Sequence, residues 1–164
     1  MKTTILIGAI CAVALSIAAA AHDQPATKGA KQAVTISPAD VKWGPAPAAF
    51  PKGGQVAVLH GDPFKKTTYA LRLKMPDGYR IAPHWHTLDE QLTVISGTFM
   101  LGMGDKEDDA HALAAGAYHF LPGKAHHYAV AKGDTIVEVH GMGPFDIHYI
   151  NPSDDPSKAA AASK

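Results

Sequence analysis

The sequence predicts an all-β protein whose short antiparallel strands form a sandwich or a barrel. Between residues 56 and 150, about ten short runs rich in apolar and β-branched residues are separated by turn signals, a spacing typical of all-β domains. Beyond residue 22, no stretch has the pattern of a long amphipathic helix. We therefore expect a core between two facing sheets, built from apolar residues at alternate strand positions.

The predicted strands follow from runs of Val, Ile, Thr, Leu and aromatic residues, which favour extended structure. In chain order they cover residues 56–59, 69–73, 81–86, 91–95, 98–103, 111–114, 118–121, 127–130, 135–139 and 145–150. Glycine, proline and aspartate mark turns between them, because these residues adopt turn conformations at low cost. These turn signals lie at residues 76–78, 96–97, 115–116, 122–123 and 132–134.

The first 21 residues have the features of a secretory signal peptide. An apolar run over residues 5–21 follows Met-Lys-Thr-Thr and ends in four alanines before polar His22, as at a small-residue cleavage site. A single membrane anchor is the alternative, but the run is short against the roughly 20 residues a span needs. We expect cleavage, export to the periplasm or the extracellular space, and no stable membrane anchor after processing. The single cysteine, Cys11, then leaves with the peptide.

Composition divides the remaining chain into three parts. Residues 22–54 form an irregular N-terminal arm rich in Ala, Pro, Lys and Gly, with candidate short strands at 34–36 and 41–43. Residues 55–150 form the β-domain, and residues 151–164 form a flexible C-terminal tail. The chain has 15 basic and 15 acidic residues and no basic block, which argues against a nucleic-acid partner.

A cluster of histidines carries the functional signal. His84 and His86 are two residues apart, so one strand presents both on the same face. Glu90 follows after a turn of three residues, and a distant strand contributes either His126 or His127. Adjacent strand residues face opposite sides, so only one of these two points inward. Three imidazoles and one carboxylate suit a divalent transition metal.

The two segments that contain these residues resemble the two motifs of the cupin superfamily. The first motif matches at each fixed position, namely Gly78, His84, His86, Glu90 and Gly97. In the second motif Gly116, Pro122 and His127 fit, whereas the middle glycine is displaced to Gly123 and the final Asn position holds Ala131. The spacing from Pro122 favours His127 over His126. The resemblance covers roughly residues 55–150.

This resemblance implies an antiparallel double-stranded β-helix, or jelly-roll, barrel that binds one divalent metal (Fe, Mn, Zn, Ni or Cu) through His84, His86, Glu90 and His127. It implies a metalloenzyme acting on a small oxygenated molecule, with an oxygenase-type reaction as the first hypothesis and isomerase or lyase reactions behind it. The alternative is a metal-dependent binding or sensing module without turnover. We assign no catalytic residue.

Further expectations concern the pocket and assembly. The candidate pocket residues for a small-molecule ligand are Arg72, Tyr79, Gln91 and His140. Cupin-like barrels often pair through an edge strand, and residues 34–43 offer an exchangeable one, so a homodimer is expected.

Overall fold

The computed structural model describes residues 32–158. This part of the chain contains nine antiparallel strands. They are β1 (Gly44–Pro45), β2 (Gln55–Gly61), β3 (Thr68–Met75), β4 (Arg80–Trp85), β5 (Glu90–Met103), β6 (Ala110–Ala114), β7 (Tyr118–Leu121), β8 (His127–Met142) and β9 (His148–Tyr149). Short 3₁₀ helices cover Pro38–Asp40 and Pro152–Asp154. No helix among these residues is long and apolar enough to span a membrane. The predicted signal peptide lies outside the described residues.

Two long strands, β5 and β8, shape the barrel. They pair with each other from Glu90 opposite Gly141 to Met103 opposite His127. The first part of β8 pairs on its other edge with β4 and the second part with β3. In the same way, β7 pairs with the first part of β5 and β6 with the second part. The sheet therefore folds into two facing halves, β1-β2-β3-β8-β5-β7 and β9-β4-β8-β5-β6, which confirms the predicted jelly-roll.

The predicted turns at residues 96–97 and 132–134 are wrong, because the chain bends there without reversing. The β5–β8 register shifts around Ser96, where β5 and β8 each carry a bulge. Gly97 and Gly133 have φ angles of 77° and 72°, which glycine adopts without steric cost. A Cβ on Gly97 would lie 2.5 Å from the Asp134 carbonyl oxygen. Glycine therefore lets the two strands turn this corner together, and four predicted strands merge into two.

The N-terminal arm and the last predicted strand also differ from expectation. Residues 34–36 and 41–43 form no strand; the pairing arm segment is β1, opposite Val56 and Gln55 of β2. Of residues 145–150, only β9 is strand. Because residues 34–43 hold no strand to exchange, the predicted homodimer loses this structural argument and stays a prediction.

The core lies between the two sheet halves. On β3, Tyr69, Leu71, Leu73 and Met75 are buried while the residues between them are not. The same alternation places Val137 and Val139 of β8 inside. The inner face of these strands thus forms the walls of the space in which the histidines lie.

Candidate metal centre and its cavity

Three strands bring the predicted ligands together. His84 lies on β4 and His86 just beyond its end, while Glu90 opens β5 and His127 opens β8. In the β4–β8 ladder, His84 is directly opposite His127, so the sheet register joins residues that are far apart in sequence. Trp85 faces the other side, where its ring stacks on His148 with centroids 4.1 Å apart.

The four side chains are buried and close to one another. Each is between 3% and 7% exposed. One ring nitrogen from each of His84, His86 and His127 lies within 4.8 Å of the other two. The Glu90 Oε2 atom is 3.6 Å from Nε2 of His86 and 3.8 Å from Nε2 of His127. The three ring nitrogens thus lie close enough together to share one metal ion, and the Glu90 carboxylate adjoins two of them.

Hydrogen bonds fix the protonation of all three rings. The Nδ1 atoms of His84, His86 and His127 each bond a backbone carbonyl oxygen. In that order the acceptors are Ala82 (2.7 Å), Asp146 (2.5 Å) and Ala125 (3.0 Å). Because a carbonyl can only accept, each Nδ1 carries the proton and donates it. Each Nε2 then keeps a lone pair, as in histidines that ligate metals while a second partner orients the ring.

Burial also sets the charges of the cluster. It lowers the pKa of His84 well below the ordinary value, and the nearby His127 and His86 lower it further. Burial likewise lowers the pKa of His86 and of His127. It raises the pKa of Glu90. Without a cation the site disfavours ionised groups, so the imidazoles are neutral and able to donate their lone pairs at neutral pH.

The structure separates His126 from His127 as strand alternation predicts. His127 is buried among the other histidines, whereas His126 is partly exposed and its Nδ1 lies 2.5 Å from Asp105 Oδ1. His127 is therefore the one of the two that faces the cluster.

The four candidate pocket residues do not line the cavity at the histidine cluster, although Gln91 and His140 line a separate surface pocket. Arg72 donates to Glu138, 2.7 Å away, and Glu138 lies 2.8 Å from Nε2 of His140, on the outside of the barrel. The Tyr79 hydroxyl donates to the Pro51 carbonyl, and Gln91 is exposed. Strand alternation explains the outward residues, because each is adjacent in sequence to an inward-facing core residue.

A cavity of about 290 Å³ lies beside the histidine cluster. Apart from the four clustered residues and Asp146, every side chain that lines it within the described range is apolar. Leu71, Leu92, Phe99, Leu101, Val137 and Val139 belong to its wall.

Sequence reasoning missed two parts of this cavity. They are four arm residues, Pro45, Pro47, Ala49 and Phe50, and the loop residues 145–147. Phe50 stacks on Phe145 with ring centroids 6.0 Å apart. The Tyr149 hydroxyl donates to the Ala49 carbonyl at 2.8 Å. The aromatic residues at 50 and 145 were the available signal, but nothing in their spacing indicates that the two segments meet.

The comparison with protein families gives one match. The profile of the family described as "Domain of unknown function (DUF4437)" matches residues 12–148. No curated protein matches the chain.

Solved structures share the fold at low sequence identity. The polyketide cyclase RemF from Streptomyces resistomycificus is 17% identical with a TM-score of 0.65, over 79% of this chain and 94% of that one. An acetylacetone dioxygenase from Acinetobacter johnsonii is 19% identical with a TM-score of 0.59, over 84% and 96%. An RmlC-like cupin from Shewanella frigidimarina is 18% identical with a TM-score of 0.53, over 68% and 92%. At such identities the likeness concerns the fold alone.

Proposed function

Since the chain belongs to the DUF4437 family and has the cupin fold, we propose that it is a mononuclear metal protein acting on a small oxygenated molecule. The observation that carries the proposal is the set of three buried imidazoles, each with its Nδ1 proton committed to a backbone carbonyl and its Nε2 lone pair free. Glu90 adds a carboxylate at 3.6 Å and 3.8 Å from two of those nitrogens.

This donor set suits one divalent transition ion. Iron, manganese, zinc, nickel and copper all accept imidazole and carboxylate ligands. Four protein donors leave coordination positions free on a six-coordinate ion, and the adjoining cavity gives a small molecule access to them. When bound, such an ion supplies Lewis acidity and a place where a substrate and O2 can meet.

An oxygenase-type reaction fits the cavity better than an isomerase or a lyase reaction. The latter two transfer protons and need a positioned acid or base. Besides the proposed ligands, Asp146 is the sole ionisable residue that lines the described cavity. Its carboxylate accepts from the Thr87 amide at 2.8 Å and lies 3.1 Å from His148 Nε2. The structural neighbours of this fold include acetylacetone dioxygenase and salicylate 1,2-dioxygenase.

The same apolar wall favours a second candidate, a metal-dependent binding or sensing module without turnover. A wall without proton-transfer groups holds a ligand equally well whether or not it reacts. Oxygen uptake separates the two. Protein purified from its own source is analysed for metals and then supplied with candidate ligands under air in an oxygen electrode. Turnover supports the oxygenase, ligand binding without uptake supports the module, and absence of any metal contradicts both.

Export is proposed on the sequence of the first 21 residues. N-terminal sequencing of protein recovered outside the cytoplasm tests it. A start near His22 supports cleavage, and retention of residues 3–5 on exported protein supports the membrane anchor instead.

A further inference from the structure

The walls of the cavity offer a ligand almost no hydrogen-bonding partner. Among the described residues that line the cavity, polar atoms of side chains come from the four clustered residues and from Asp146 alone. The Asp146 carboxylate is already engaged by the Thr87 amide and by His148. A sugar or another polyhydroxylated molecule would lose its hydrogen bonds to water here without replacement, which costs free energy for each hydroxyl.

The mouth of the cavity is apolar as well. Val58 and Phe64 line the cavity and yet are 48% and 67% exposed, so they lie where it meets solvent. No lysine or arginine lines the cavity within residues 32–158. A ligand that carries several negative charges would therefore find no counter-charge except at the metal.

The charge balance at the metal favours a ligand with one anionic group. A divalent ion held by neutral imidazoles and by the one carboxylate of Glu90 would keep one excess positive charge within its ligand set. The other carboxylate that lines the cavity, Asp146, accepts from the Thr87 amide and lies 3.1 Å from His148 Nε2, so its charge is met by those partners. An unbalanced buried charge is costly, and one anionic oxygen group on the ligand would neutralise it. A second anionic group would restore the imbalance with the opposite sign.

The volume of the cavity limits the size of the apolar part of the ligand. The cavity volume is about 290 Å³, room for roughly ten water-sized groups at about 30 Å³ each. A chain or ring of that size can fill the apolar wall while its polar end reaches the histidine cluster.

We infer that the ligand is a mono-anionic amphiphile of roughly ten non-hydrogen atoms, with one acidic oxygen group at the metal and an apolar body against the wall. This inference rests on the proposed function, since the metal supplies the counter-charge. It excludes sugars, sugar acids and small dicarboxylates as ligands of this site.

Three probes of equal chain length test the inference on the zinc-loaded full-length protein. Octanoate has one carboxylate, suberate has two, and 1-octanol has none. Isothermal titration calorimetry should give octanoate an affinity at least tenfold higher than suberate or 1-octanol, and gluconate should not bind. Octanoate should also bind the metal-free protein at least tenfold more weakly. Equal affinities for octanoate and suberate, or unchanged octanoate binding without zinc, would overturn the inference.

A pair of surface variants checks that the probe enters by the apolar mouth. Val58→Asp places a charge at the rim, and Ile95→Asp is its control, because Ile95 is 40% exposed but does not line the cavity. Octanoate affinity should fall at least threefold in Val58→Asp and stay unchanged in Ile95→Asp, with full zinc content in both. Equal affinity in the two variants would overturn the proposed entry.

Zinc analysis of the wild-type protein distinguishes failure of the inferred ligand class from failure of the proposed function. If the wild-type protein does not bind zinc stoichiometrically, the metal centre itself is wrong. If it binds zinc but the affinities of the probes rank differently from the expectation, only the inferred ligand class is wrong.

Discussion

Two histidine–glutamate pairs in the same barrel differ in their surroundings. His127 and Glu90 are buried inside, whereas His140 and Glu138 lie on the outer surface of the sheet. Burial raises the pKa of Glu90. For Glu138, burial also acts to raise the pKa, but hydrogen bonds from His140 and Arg72 outweigh it and lower the pKa.

Residue type alone therefore does not define a metal site. The outer pair is neutralised by Arg72 and by solvent, so it has no need of a further cation. The inner pair has neighbours that are themselves neutral imidazoles, and its carboxylate has no cationic side chain beside it in the described chain. Only the inner pair therefore favours a metal ion.

The largest expected effect is loss of metal when the inner pair is broken. His84→Ala, Glu90→Ala and His127→Ala each remove a proposed ligand, and we expect bound metal to fall by at least tenfold in each. Elemental analysis of purified protein measures this. His126→Ala is the matched control and should keep full occupancy, because His126 faces Asp105 instead. Full occupancy in both His84→Ala and Glu90→Ala would show that the site has been misplaced.

Removal of the metal from the wild-type protein should lower its melting temperature by a measurable amount. An ion that binds only the native state, at a hundredfold excess over its Kd, stabilises by about 2.7 kcal/mol, which for a chain of this length raises Tm by roughly 5–10 °C. Thermal melts with and without a chelator measure the shift. In His127→Ala the chelator should leave Tm unchanged; an equal shift there would place the stabilising ion elsewhere.

Acid should destabilise the metal-free protein through the inner histidines. Their pKa values are lowered in the folded state, so below about pH 6.5 the unfolded chain binds protons that the folded chain does not, and stability falls. Glu90 acts in the opposite direction, because its pKa is raised in the folded state: the penalty it imposes at neutral pH disappears in acid. Because three histidines outnumber one carboxyl, we expect the free energy of unfolding to fall as the pH is lowered.

Urea unfolding of the metal-free protein at pH 7.5 and pH 5.5 measures this loss. His84→Gln should reduce the pH dependence. Stability that stays constant between the two pH values in the wild-type protein would contradict the assignment of neutral buried imidazoles.

The smallest effect is expected at the outer pair. His140→Ala or Glu138→Gln should leave metal content unchanged and alter the free energy of unfolding by about 1 kcal/mol or less, as is usual for ion pairs near the surface. Elemental analysis and urea unfolding measure both quantities. A loss of metal in His140→Ala would remove the distinction between the two pairs.

The all-β class, most strand positions and the His84–His86 pair could be predicted from local rules in the sequence, whereas Glu90 and His127 were predicted from the resemblance to the cupin motifs. A period of two places His84 and His86 on one face, and glycine and proline mark most turns. The same rule could have placed Arg72, Gln91 and His140 outside, since each is adjacent to an inward-facing apolar residue.

The bends of the long strands and the set of residues that line the cavity follow from tertiary contacts. A positive φ at Gly97 is compatible with either a reversal or a corner, and contacts with the opposing β8 strand select the corner. In the same way, Phe50 and Phe145 meet although they are 95 positions apart in the chain. Such contacts depend on which surfaces the folded sheet leaves uncovered. Short-range sequence patterns do not predict these surfaces, because residues distant in the chain form them.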